Sequence, residues 1–125
     1  RRRAKAYARQ LRRVGQPRCT GRAAMIEAAL DTVAGRSEQA CARWREAARE
    51  FEACALEGHL AAARVRLAAH LEGDEAEPLR TLAQTYFVRQ AIADPLRFVE
   101  VLAPAATRKP SELSEPPASP RTRPA

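Results

Sequence analysis

The stretch from Gly35 to Leu71, GRSEQACARWREAAREFEACALEGHLAAARVRLAAHL, limits what this chain can fold into more than any other part of it. Ala40, Trp44, Ala47, Ala48, Phe51 and Ala55 recur at the three- and four-residue spacings that fill one face of a helix. Trp44 and Phe51 are the large anchors of that face, and the alanines let a neighbouring helix come close. Gly58 is expected to break the pattern, after which Leu60, Ala63, Leu67 and Leu71 open a second apolar stripe. The stretch therefore predicts a helical hairpin, which is a scaffold before it is a site.

The segments on either side extend the same logic. Ala4, Tyr7, Ala8, Leu11 and Val14 give a first helix whose other face is arginine, ended by Gly15-Gln16-Pro17. Gly21 to Ala34 reads as the next helix, with Met25, Ile26, Ala29, Leu30 and Val33 as its stripe. Gly35 suits a left-handed C-terminal cap, and Ser37 is placed to cap the helix that follows. Gly73-Asp74 marks another break. Pro78 fits the first turn of a helix running to about Gln90, with Leu79, Leu82, Ala83, Tyr86 and Phe87 as its apolar face. Asp94-Pro95 starts a short last helix, Pro95–Leu102, and Pro104 stops it. Beyond Ala105, five prolines and a single large apolar residue, Leu113, predict a disordered tail. Ser119-Pro120 within it reads as plain solvated chain. No stretch alternates like a strand. The expected class is all-α, antiparallel helical hairpins of α-solenoid type. Residues 1–20 form a basic helix that reads as the end of an upstream repeat, 21–103 the module, and 104–125 the tail.

Charge narrows the functional classes. The net charge of +7 is unevenly spread: residues 1–22 contribute +9 with no acid, residues 23–103 contribute −4, and the tail +2. The folded part is mildly acidic, which argues against a nucleic-acid face across the fold. Cys19, Cys41 and Cys54 have no metal-ligand or disulfide-framework spacing and read as small apolar residues in a reducing cytoplasm. His59 and His70 are separated by about 16 Å of helix rise and cannot share a metal. No apolar run reaches the ~20 residues of a membrane span, and RRRAKAYARQLRR lacks the apolar region of a signal peptide. Starting at Arg1, the chain reads as a fragment of a larger product.

No phosphate-binding glycine loop, dinucleotide fingerprint, kinase catalytic loop, zinc-protease motif or nucleophile elbow is present. Arg43, Arg45, Glu46, Arg49, Glu50 and Glu52 read as ordinary surface pairing along one helix. No carboxylate is isolated in an apolar setting, so acid–base chemistry has no candidate, and neither a catalytic residue nor a cofactor or metal site is implied.

Gly35-x4-Ala40-x3-Trp44-x2-Ala47 resembles the turn and second helix of a tetratricopeptide repeat. Ala24, Glu27, Ala28 and Asp31 depart from the first-helix pattern of that repeat, and Glu52 stands where it carries a proline. More widely, GRSEQACARWREAAREFEACALEGHLAAARVRLAAHLEGDEA and QAIADPLRFVEVLAP are similar to the C-terminal helical-repeat end of large bacterial serine/threonine protein kinases. They also resemble the same end of related ATPase-containing regulators, of the kind abundant in myxobacteria. The resemblance implies a non-catalytic, cytoplasmic module that binds a partner protein or upstream domains of its own polypeptide in signal transduction. Kinase catalytic residues have no counterpart here. Trp44, Phe51, Leu67, Leu71, Tyr86 and Phe98 are expected to carry the fold, and Arg43, Arg64 and Arg66 are the candidate partner surface. Two alternatives remain: the tail of a transcriptional regulator whose basic N-terminal segment contacts nucleic acid, and a stand-alone helical adaptor.

Overall fold

A computed structural model of the chain describes residues 1–104; the predicted disordered tail from Ala105 onward, with Ser119-Pro120, lies outside the described residues. Six helices and no strand occur among them: α1 (Arg2–Val14), α2 (Pro17–Val33), α3 (Ser37–Ala53), α4 (Glu57–Ala68), α5 (Ala76–Arg89) and α6 (Pro95–Leu102), with a single 3-10 turn, Gly73–Glu75, before α5. The all-α expectation holds. The first five helices each pack on their neighbours in sequence, α1 on α2, α2 on α3, α3 on α4 and α4 on α5, whereas α6 packs back on α4.

The helix ends show why the chain turns where it does. Gly15, at φ 77°, ends α1, and its N–H reaches Arg12 O at 3.2 Å. Pro17 then occupies the first position of α2, where a missing N–H costs nothing, so this helix begins four residues before the expected Gly21. Three helices end in the same doubly bonded left-handed cap. In α2 the cap residue is Gly35, and Arg36 N–H reaches Asp31 O at 2.8 Å. In α3 and α5 it is alanine, Ala55 and Ala91, with Leu56 N–H to Phe51 O at 3.0 Å and Ile92 N–H to Phe87 O at 2.9 Å. The break after α3 is therefore Ala55 and not Gly58, which sits inside α4. Ser37 is the first residue of α3 and makes no cap bond. Its hydroxyl stands 3.3 Å from His70 Nδ1, whose Nε2 is 3.3 Å from Thr32 Oγ1. Asp94 does cap α6, accepting from Arg97 N–H at 3.2 Å.

The core is built mainly from alanine. Ala24, Ala28, Ala40, Ala47, Ala62 and Ala63 are fully buried, around Phe51, Trp44, Met25 and Leu67. Two glycines allow still closer approach. A Cβ on Gly21 would stand 2.7 Å from Phe51 Cε1, and one on Gly58 would stand 3.2 Å from both Phe98 Cζ and Tyr86 Oη. Leu71, Tyr86 and Phe98 pack against this cluster from partly buried positions, and Phe98 sets its ring edgewise to Phe87 at 5.8 Å.

A repeat runs through the second half of the fold. Ala40, Ala47, Phe51, Ala55, Leu56, Leu60 and Ala63 are followed, each 36 positions later, by Ala76, Ala83, Phe87, Ala91, Ile92, Leu96 and Val99. The caps match bond for bond, but the packing does not: α4 lies along α3, whereas α6 packs on α4 and not on α5. Burial matches at every one of the apolar core pairs except Leu60 and Leu96. Leu82, placed by its spacing on the buried face of α5, is instead 49% exposed, because among the described residues no helix covers the outer side of α5.

Candidate functional site

The chemically richest cluster joins the first three helices. Arg12, near the end of α1, donates from Nε and Nη2 to both carboxylate oxygens of Glu27 on α2, at 3.1 and 2.5 Å. The same guanidinium reaches Glu46 on α3 through Nη1 and Nη2, at 2.8 and 2.9 Å. Arg43 adds contacts of 3.5 Å to Glu27 and 3.6 Å to Glu46. Two guanidiniums thus balance two carboxylates. Hydrogen bonds from Arg12 hold the Glu46 carboxyl below the usual carboxylate range, and the bonds from Glu46 and then Glu27 raise Arg12 above its own. A carboxylate held ionised between two cations is a poor proton donor. The cluster works as a clip. Glu46 keeps the pairing with Arg43 expected within its own helix, and adds a shorter interhelical one with Arg12 that the sequence did not show.

His59 is the other shifted group. Its ring packs on Phe51 with centroids 5.2 Å apart. Burial, and secondarily the charge of Arg22, pushes its pKa down, so it is neutral at pH 7. Among the described residues no group of three or more His, Cys, Asp or Glu side chains is arranged to hold a metal ion. Cys19, Cys41 and Cys54 are free thiols.

The other candidate is a surface. The α4–α5 seam is a shallow groove lined by Leu60, Arg64, Leu82, Thr85, Tyr86 and Arg89. Outside it, Arg80, Thr81, Gln84, Thr85 and Val88 form an open face on α5, with Val88 among the most exposed apolar side chains. Arg89 lies 5.9 Å from the Tyr86 ring centroid and pairs with Glu57 at 3.5 Å. This combination of apolar floor and guanidinium rim is what a helix or loop carrying apolar and acidic side chains would fit.

The three candidate surface arginines have separate settings. Arg43 belongs to the α1–α2–α3 clip. Arg66 turns inward: Nε donates to Ala103 O at 2.8 Å and Nη2 to Glu100 at 3.2 Å, which ties α4 to the end of α6. Arg64 alone lines the groove. Of the six expected core residues, Trp44, Phe51 and Leu67 are buried in one cluster, and Leu71, Tyr86 and Phe98 flank it. Arg12 and Glu27 were missed. For Glu27 the available signal was a charged residue interrupting the apolar run MIEAAL; Arg12, one arginine among several around Leu11, carried none.

No family model, curated protein or solved structure matches the chain, so its functional reading comes from its own geometry.

Proposed function

We propose that this chain is a tetratricopeptide-like helical-repeat module that acts by binding another protein and not by catalysis. The observation that carries the reading is the 36-residue register that relates α5–α6 to α3–α4, close to the ~34-residue period of tetratricopeptide repeats. Hairpins that pack on their neighbours form an array with long open faces, and such faces are used for recognition. The α4–α5 groove with Leu82 and Val88 is the binding face of this proposal, and Arg64 and Arg89 are its charged rim. The partner is a separate protein or an upstream domain of the same polypeptide.

The resemblance to the C-terminal ends of bacterial serine/threonine protein kinases supports placing the module in a cytoplasmic signalling protein. No helix among the described residues is long and apolar enough to cross a membrane. A nucleic-acid role for the basic first helix has less support, because Arg12 is committed to Glu27 and Glu46.

The test compares proteins captured from the source cells by the wild-type chain and by Leu82→Glu/Val88→Glu. A protein retained by the first and lost with the second supports the reading; identical capture by both overturns it. The kinase connection has its own test. An endogenous polypeptide several times larger than 13.8 kDa, with kinase motifs in its frame, supports it, and a band at 13.8 kDa removes it.

A further inference from the structure

Beside the Arg12 clip, the first three helices enclose a polar pocket of about 210 Å³. Lys5 and Arg9 line it from α1, Glu27 and Asp31 from α2, Arg36 from the turn before α3, and Arg43 from α3. The charges of this pocket do not balance. Arg12 and Arg43 match Glu27 and Glu46, and Arg36 holds Asp31 at 2.9 Å. Lys5 and Arg9 have no carboxylate partner among the described residues. No acid stands on α1 to provide one.

Lys5 and Arg9 lie one helical turn apart, a spacing at which like charges repel. On the α3 side of the pocket, Arg36 and Arg43 keep donors free. Arg36 gives only Nε and Nη2 to Asp31, and Arg43 comes no closer than 3.5 Å to a carboxylate oxygen. Four cations therefore converge on one small space with two positive charges uncompensated.

We propose that this pocket binds a phosphate dianion, free or carried by a small phosphomonoester. A phosphate group at pH 7 carries a charge of about −1.5 to −2, which matches the surplus. Its oxygens suit the guanidinium forks of Arg9, Arg36 and Arg43, with the Lys5 ammonium as a compact fourth charge. Glu27 and Asp31 are neutralised by their own arginines and hold Arg43 and Arg36 in place. Size narrows the ligand further: 210 Å³ lies below the ~300–1,000 Å³ of pockets that take drug-sized ligands and cofactors. A bound phosphate would also bridge α1 to α3, and α1 buries only Ala8 completely. Binding should therefore tighten α1. The α4–α5 groove of the proposed function lies on other helices, so either reading can fail without the other.

Titration calorimetry of inorganic phosphate into the 125-residue chain at low salt tests it, beside sodium chloride at equal ionic strength. Phosphate should bind, raise the melting temperature by at least about 2 °C more than chloride does, and slow amide exchange in α1. Lys5→Gln/Arg9→Gln should weaken phosphate binding at least about tenfold, with helicity unchanged in its absence. Arg3→Gln/Arg13→Gln removes the same charge from the same helix outside the pocket, and should change binding less than about twofold. Glycerol 1-phosphate run alongside separates the two sources. Equal or weaker binding assigns the pocket to the free ion, and tighter binding to a phosphomonoester. Phosphate acting no better than chloride, or equal losses from the two double variants, overturns the proposal. Amide exchange in wild-type α1 that phosphate leaves unslowed overturns it without any variant.

Discussion

Phe51 is completely buried, and Gly21 exists in α2 to let it be so. A methyl group at Gly21 would meet the Phe51 ring at 2.7 Å, and a ring with no exposed edge has nowhere to move. Gly21→Ala is predicted to destabilise the fold by about 1–3 kcal/mol in urea unfolding, against the usual gain from adding alanine to a helix. The reverse exchange helps at the caps. Ala55 and Ala91 hold φ of 58° and 54°, where a Cβ is strained. Ala55→Gly and Ala91→Gly should each stabilise by about 0.5–1 kcal/mol, read as a higher midpoint at unchanged slope. His59 gives a pH signature. Its folded pKa lies below the ordinary 6.5, so the unfolded chain binds the proton more readily. Its contribution is complete above that value and falls as pH drops through it. The loss of melting temperature between about pH 7.5 and about pH 5.5 should shrink in His59→Gln. Trp44 and Phe51 were legible from a helical period alone. Gly21 was not, because a glycine in a polar neighbourhood reads as a boundary until the ring that needs its space is known.

At the scale of elements, the Arg12 clip decides how α1 sits on α2 and α3. α1 buries only Ala8 completely, so its apolar attachment is thin and the bidentate bonds to Glu27 and Glu46 carry much of the orientation. A double-mutant cycle on Arg12→Met and Glu46→Gln should show a coupling of about 1–2 kcal/mol, with the double variant less impaired than the two singles predict. Arg12 holds the Glu46 pKa below its ordinary 4.5, so this coupling is intact above that pH and fades as acid protonates the carboxylate. Additive effects would mean that the two groups are merely adjacent. The helices themselves were legible, but the clip was not. A charge on a helix shows its i±3 and i±4 neighbours in the sequence, and Glu46 has Arg43 and Arg49 there; its partner 34 positions away becomes visible only once α1 and α3 lie side by side. The same limit misplaced Leu82, whose spacing is right for burial but whose outer side has no helix to meet.

At the scale of the whole molecule, the proposed repeat rests on the 36-residue register between residues 40–63 and 76–99. α4 joins α3 to both α5 and α6, and one apolar core runs from α2 to α6. The period escaped a reading of motifs because its two copies share alanines, one Phe and the cap pattern, while Trp44 in one is matched by the exposed Arg80 in the other. A nearest-neighbour array differs from a closed bundle in how it tolerates loss of an end unit. The direct measurement is urea unfolding, by far-UV circular dichroism, of residues 1–71 beside the full chain. The repeat account predicts that α1–α4 still unfold in one cooperative transition, with a smaller slope and a lower midpoint because Leu60 is uncovered. Loss of the transition, with helicity collapsing in the absence of denaturant, would show that the six helices stabilise one another as a single closed core and would contradict the account.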